Sequence, residues 1–222
     1  CNVIISEQVN KTCSKLSLTT RPTIHHIKTH IDDDKIHKSK LINIAVEETK
    51  TPYAWVNDID CYLHFNKILN TYNFNDNFIQ PFETVKDLTE NERDQILNGD
   101  KLYIPFHGED IFNNNVDNNK IIRQVCIYGA MSFIFKIQAF IEIGKMDEVY
   151  TGWGIEDTDL CIRAENHSGI HIIRGSLGVH LWHNRNNIRE NIDNNNHFHS
   201  KGMSHDIWRQ IFKKYYPDWV VG

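Results

Sequence analysis

The residues best equipped for chemistry are Gly152-Trp153-Gly154-Ile155-Glu156-Asp157-Thr158-Asp159-Leu160, where a tryptophan stands between two glycines just ahead of a Glu-Asp pair. Glycines let a backbone approach a ligand closely, and an indole is a flat apolar platform, here with carboxylates at its edge. A sugar has the matching surfaces, a C–H face to stack and hydroxyls to hydrogen-bond. One of the carboxylates could also take a proton from an attacking hydroxyl. A second acidic pair, Asp58-Ile59-Asp60, lies far upstream. At a strand end, where the chain turns, both aspartates can converge on one cation, and their oxygens suit Mn²⁺ or Mg²⁺, ions that often hold substrate phosphates as well. Val179-His180-Leu181-Trp182-His183 adds two histidines. In a strand these point to opposite faces, so one of them, His180, is the expected third ligand.

Each motif also has a plain structural reading. The Asp pair is a solvated turn, His180 a hydrogen-bonded core histidine, and Trp153 a core aromatic. Glu156 and Asp157 are acidic residues at a helix start that complement its dipole. Co-occurrence in this order is what favours a site.

The elements that must position these groups follow from pattern. Val3-Ile4-Ile5 reads as a short buried strand. Residues 10–37, polar and holding His25, His26 and His30, read as a long loop. Leu41, Ile42, Ala45 and Val46 fall at helical spacing over 38–50, and Thr51-Pro52 ends that helix. Tyr53 to Val56 is then a strand that runs into Asp58. Strand, helix and strand make a βαβ unit, which favours a parallel sheet. Tyr62 to Leu69 is expected helical and Phe78 to Phe82 extended. Residues 88–98 form a helix with Thr89 as N-cap and Glu92 closing a capping box. Lys101 to Phe106 is expected as a strand, 107–120 as a mobile loop, and Val125 to Phe135 as a strand around Gly129. Gln138 to Ile143 is a helical turn. Asp157 to Asn166 is a helix with Leu160, Cys161 and Ala164 inward. Ile170 to Ile173 and Leu177 to Trp182 are strands, 184–200 is a flexible Asn- and His-rich segment, and Ser204 to Tyr216 is an amphipathic terminal helix.

The 222 residues suit one sizeable α/β domain, and a net charge of −5 gives no nucleic-acid surface. No apolar run approaches the roughly 20 residues of a membrane span, and no stretch reads as a signal peptide. The chain opens at Cys1, as a fragment would. Its five cysteines have no paired spacing, which argues against a zinc–cysteine site, and Cys61 and Cys161 are expected as buried thiols.

With these motifs in place, the chain resembles a GT-A glycosyltransferase, most like the β-1,4-galactosyltransferase and chondroitin-polymerase type of catalytic domain. The resemblance rests on Val3-Ile4-Ile5-Ser6-Glu7-Gln8 (the second strand), Lys40 to Ala45 (the helix before the metal strand), Asp58-Ile59-Asp60 and Tyr128-Gly129-Ala130-Met131-Ser132. It rests further on Trp153-Gly154-Ile155-Glu156-Asp157, its most specific segment, and on Val179 to His183. Ala130 replaces a second glycine. The resemblance implies a Rossmann-like, mixed and mainly parallel sheet flanked by helices, in a single domain over 1–222 that lacks the family's first strand. It implies an inverting hexosyltransferase that moves a hexose or N-acetylhexosamine from a UDP-sugar to a glycan or glycosylated acceptor. Asp60 would bind Mn²⁺, with Asp58 on the donor ribose or on the metal through water, and His180 as third ligand with His183 as substitute. Asp157 would be the base and Glu156 a hydroxyl partner. Trp153 and Gly154, with Gly129 and Ala130, would line the sugars. Two other classes compete. One is a catalytically weak sugar- or nucleotide-binding domain that keeps the fold, and the other is a metal-dependent phosphohydrolase, which leaves Trp153 unexplained.

Overall fold

A computed structural model describes residues 3–9, 24–98, 122–124, 132–183 and 191–217. The predicted strand at 101–106, the loop at 107–120, residues 125–131 with Gly129 and Ala130, and residues 184–190 lie outside the described residues.

In chain order the elements are β1 (Val3–Val9), β2 (Ile24–His30), α1 (Lys38–Glu47), β3 (Tyr53–Asn57), β4 (Cys61–Tyr62), α2 (Phe65–Thr71), β5 (Phe78–Gln80), β6 (Thr84–Asp87) and α3 (Glu90–Leu97). They continue with β7 (Ile122–Gln124), β8 (Ser132–Lys136), α4 (Ile137–Glu142), α5 (Glu156–Ser168), β9 (His171–Ile172), β10 (Leu177–His180), α6 (Ile192–Ser200) and α7 (His205–Tyr215). The mixed α/β class is as expected. The sheet is not one mainly parallel layer: the strands form a β1-β2 pair and two four-stranded sheets, β4-β10-β6-β7 and β3-β8-β5-β9. Among the described strands, three pairings are parallel and four antiparallel. The reason lies in β3. It pairs antiparallel with β8 along its whole length and does not join β1, so the strand–helix–strand run does not close a parallel unit.

Two further expectations are corrected. Residues 24–30 are a strand, β2, aligned with all seven residues of β1. Backbone pairing on an existing strand needs no apolar alternation, so the pattern concealed it. Residues 192–200 are a helix, α6, capped by the Asn191 side chain, which accepts from Asn194 N at 3.1 Å. The capping box at Thr89 is present in both directions.

The main core lies between the β3-β8-β5-β9 sheet and helices α1, α5, α6 and α7. Helix α1 buries Ile42 and Val46 one turn apart and α5 buries Leu160, Cys161 and Ala164, the spacings of a core-facing stripe. Asn43 is buried in that stripe because its amide pairs with the chain ahead of the Trp153 motif: Nδ2 donates to Met146 O at 2.9 Å and Oδ1 accepts from Met146 N at 3.0 Å. Helix α1 is thereby locked to the segment that leads into α5. Cys61 and Cys161 are buried thiols outside any disulfide. No helix among the described residues is long and apolar enough to cross a membrane.

Candidate active site

Strand β3 ends at Asn57, whose side-chain amide donates to Asp58 O (2.7 Å) and Cys61 O (3.0 Å) and so closes a tight turn over Asp58-Ile59-Asp60. Ile59 points outward and is almost fully exposed. The two flanking aspartates take different partners. Asp60 is drawn to β10, because β4 pairs with β10 in a register that sets Cys61 opposite His180, and Leu181 N donates to Asp60 O at 2.8 Å. Asp60 Oδ2 lies 3.5 Å from His180 Nε2 and 3.6 Å from His183 Nε2. The strand stops at His180, so His183 is free of the alternation that would have turned it away, and both histidines reach one carboxylate. Their rings meet edge to face at 5.2 Å. Both imidazoles thus lie beside Asp60, and of the two His180 is among the described candidate ligands.

Asp60, Cys61 and His180 can each offer a ligand atom, all within 4.8 Å of one another. The donor set favours a hard, oxygen-preferring cation held by Asp60 and imidazole. Burial, with the charges of Asp60 and Asp58, pushes the Cys61 thiol far up, and its Sγ donates to Asp60 Oδ1 at 3.4 Å, so it stays protonated. Adjacent ligands of an octahedral cation of this kind lie about 3 Å apart, close to the separations seen. The second nitrogen of His180 is fixed by Asp87 on β6 (Nδ1 to Oδ1, 3.2 Å), a residue placed opposite His180 by the parallel β6–β10 register. Hydrogen bonds that His180 donates to Asp60 and Asp87 raise it to about 9, and the His180 contact holds Asp60 at about 2. A carboxylate behind a histidine is the usual means of orienting an imidazole on a metal, and sequence reading missed it because Asp87 is distant along the chain.

Asp58 is not among the described candidate ligands. Its carboxylate turns instead to Lys38, the first residue of α1, whose Nζ lies 3.1 Å from Asp58 Oδ2, 3.4 Å from Asp157 Oδ2 and 3.9 Å from Glu156 Oε1. One ammonium therefore gathers the two acidic motifs, which the sequence keeps 99 residues apart between Asp58 and Asp157. Burial opposes the charge on Lys38, but Asp157, Asp58 and Glu156 together hold it firmly protonated. Burial pushes Asp58 up to about 6 against the pull of Lys38, and burial together with Asp157 raises Glu156 well above the ordinary carboxylate range. Lys38 was also missed. The signal was its place at the start of the helix that precedes the Asp58 strand.

Glu156 and Asp157 open α5 and are both buried, Asp157 at 8% exposure. Asp157 Oδ1 is buried and accepts no hydrogen bond from the described residues, while Oδ2 takes the Lys38 contact. Ahead of them the loop runs through three left-handed residues: Gly152 (φ 75°), Gly154 (φ 93°) and Ile155 (φ 79°). For a β-branched residue this is a true outlier, at a cost of about 1–3 kcal/mol. A Cβ on Gly154 would meet nothing within 4 Å, so its backbone angle, and not space, calls for glycine. Trp153 stands out from the loop at 61% exposure and is no core residue. Asp159, two residues past Asp157, is fully buried and anchors the helix start, accepting from Arg163 Nε at 2.7 Å, Tyr150 OH at 3.2 Å and Lys201.

Residues 120–183 match the family model described as the N-terminal domain of galactosyltransferase. That segment is galactosyltransferase-like. It holds Gly129 and Ala130, Trp153 to Asp157 and His180; Asp58 and Asp60 lie upstream of the match. Among solved structures, the chain is similar to a mutant of Drosophila beta-1,4-galactosyltransferase 7 in complex with manganese, UDP-Gal and xylobiose. Identity there is 13% and the TM-score 0.45, over 83% of this chain and 69% of that one. It is similar also to the catalytic domain of Drosophila beta-1,4-galactosyltransferase 7 in complex with xylobiose, at 14% identity and a TM-score of 0.40 over 76% and 61%. Nothing among curated protein sequences matches the chain.

Proposed function

We propose that this chain is the catalytic domain of a metal-dependent, inverting glycosyltransferase that moves a hexose or N-acetylhexosamine from a UDP-sugar to a hydroxyl of a glycan acceptor. The observation that carries the reading is the meeting of Asp58, Glu156 and Asp157 around Lys38, 3.1 to 3.9 Å from its ammonium, beside the Asp60–His180–His183 cluster. The galactosyltransferase-like segment supports it, since it includes both Trp153 to Asp157 and His180.

Asp60 and His180, with His183 beside them, are the residues to hold Mn²⁺ or Mg²⁺; bound there, the ion would supply the charge that stabilises a departing diphosphate. Asp58, held against Lys38, serves the donor ribose. The Asp157 carboxylate accepts the proton of the acceptor hydroxyl. The hydroxyl oxygen forms its bond to the anomeric carbon as the bond from that carbon to the diphosphate oxygen breaks, so UDP leaves and the configuration inverts. Glu156, its carboxyl kept protonated by burial and by Asp157, donates a hydrogen bond to a sugar hydroxyl. Trp153 stacks on a sugar face, and with Gly154 it borders the acceptor. Gly129 and Ala130, outside the described residues, are assigned to sugar binding by the resemblance.

The test is UDP release from a panel of UDP-sugars with Mn²⁺, with and without simple glycoside acceptors. Acceptor-dependent release with one donor preferred is expected. Release equal with and without acceptor would favour a phosphohydrolase, and binding without turnover would favour a sugar-binding domain.

A further inference from the structure

The transfer chemistry leaves α6 without a part, yet this helix touches the loop that carries it. Asn194, on the first turn of α6, is 2% exposed. Its amide spans the Trp153 loop: Nδ2 donates to Thr151 O at 3.1 Å and to Gly154 O at 2.9 Å, while Oδ1 accepts from Thr151 N at 3.3 Å. Asn191 reinforces it, donating to Thr151 O while its own Oδ1 caps the helix at Asn194 N. Between those two carbonyls lie Gly152 and Trp153, and directly after them comes Ile155 in its left-handed conformation. A loop with such angles does not hold itself. Bonds from a buried side chain fix it, because each fills a polar group that would otherwise be lost from water.

We propose that Asn194 is a positioning residue for the transfer reaction. By gripping the carbonyls of Thr151 and Gly154 it sets the direction of Trp153 and, through Ile155, of the Asp157 carboxylate three residues on. The inference rests on the transferase reading for its kinetic consequence. The chemistry requires an amide: aspartate has the same shape but loses both donors and turns a charge toward two carbonyl oxygens. The far end of α6 is held separately, with His197 Nε2 2.8 Å and Lys201 Nζ 2.9 Å from Asp147 Oδ2, so the helix stays docked when Asn194 is changed.

Asn194→Asp and Asn194→Ala would be compared with the wild-type chain by hydrogen exchange and steady-state kinetics. Amide exchange over 152–156 should rise about tenfold while amides of β8 keep their rates. The acceptor KM should rise about tenfold and kcat fall, with the donor KM unchanged, as expected when a nearby shift misaligns one substrate. Unchanged exchange over 152–156 in both variants would overturn the proposal, as would a loosened loop with wild-type kinetics. A wild-type protein that transfers no sugar while Asn194→Asp still loosens the loop would overturn the transferase reading and retain the clamp.

Discussion

The two halves of the candidate site are built by different means. Asp60, His180 and Asp87 stand at or beside the ends of β4, β10 and β6, and the register of paired strands sets their spacing. Trp153, Glu156 and Asp157 follow a loop of left-handed residues, shaped by side chains that reach in from α1 and α6. A ladder shared by many backbone bonds makes a fixed platform. A strained loop under side-chain bonds, each worth about 0.5–1.5 kcal/mol net, is nearly balanced against its own strain. The difference teaches that the strand-set half is the rigid reference and the Trp153 half the more easily displaced.

The sharpest way to break this arrangement is at the joint. Lys38→Met removes the ammonium shared by three carboxylates, two of them buried, and should lower unfolding free energy by about 3 kcal/mol, read by urea titration. A loss under about 0.5 kcal/mol would mean the joint contributes little. Asp87→Asn acts on the rigid half alone: calorimetry should show Mn²⁺ affinity reduced about tenfold or more, with the Trp153 loop unaffected. Gly154→Ala acts on the strained half alone. The added methyl has room, so only the φ of 93° is penalised, at roughly 1 kcal/mol in thermal unfolding, with Mn²⁺ binding intact. The smallest effect lies outside both halves. Burial opposes the charge of Glu92, but its bonds to Thr89 and Lys86 hold it at about 2. A depressed carboxyl adds stability above its unfolded value, near 4.5, and loses it as pH falls toward 2. The stability gap between wild type and Glu92→Gln, about 1 kcal/mol at neutral pH, should therefore close as the pH is lowered through that window.

What the sequence made legible was local. Ile42 and Val46 declare α1, Leu160, Cys161 and Ala164 declare α5, and Thr89 with Glu92 declares the start of α3, because each signal lies within one or two helical turns. Helix α6 was hidden because Asp193, Asn194, Asn195 and Asn196 carry no apolar stripe; it is held by its cap and by bonds to distant chain. The division into separate sheets was hidden because strand partnership is a long-range property, decided by β3 pairing with β8. In the site, the acidic motifs and His180 announced themselves by residue type and spacing. Lys38, Asp87 and Asn194 did not, since a lysine at a helix start, an aspartate at a strand end and an asparagine in a polar run are ordinary until the fold sets them against something.

The central claim, one site made from a metal half and a base half, is tested most directly by two single variants measured together for UDP binding in the presence of Mn²⁺ and for sugar transfer. Asp60→Asn should abolish both Mn²⁺-dependent UDP binding and transfer, whereas Asp157→Asn should keep the binding and lower kcat by about 10²–10⁴-fold. UDP binding that ignores Mn²⁺ and survives Asp60→Asn, or an Asp157→Asn protein that transfers sugar at the wild-type rate, would contradict it.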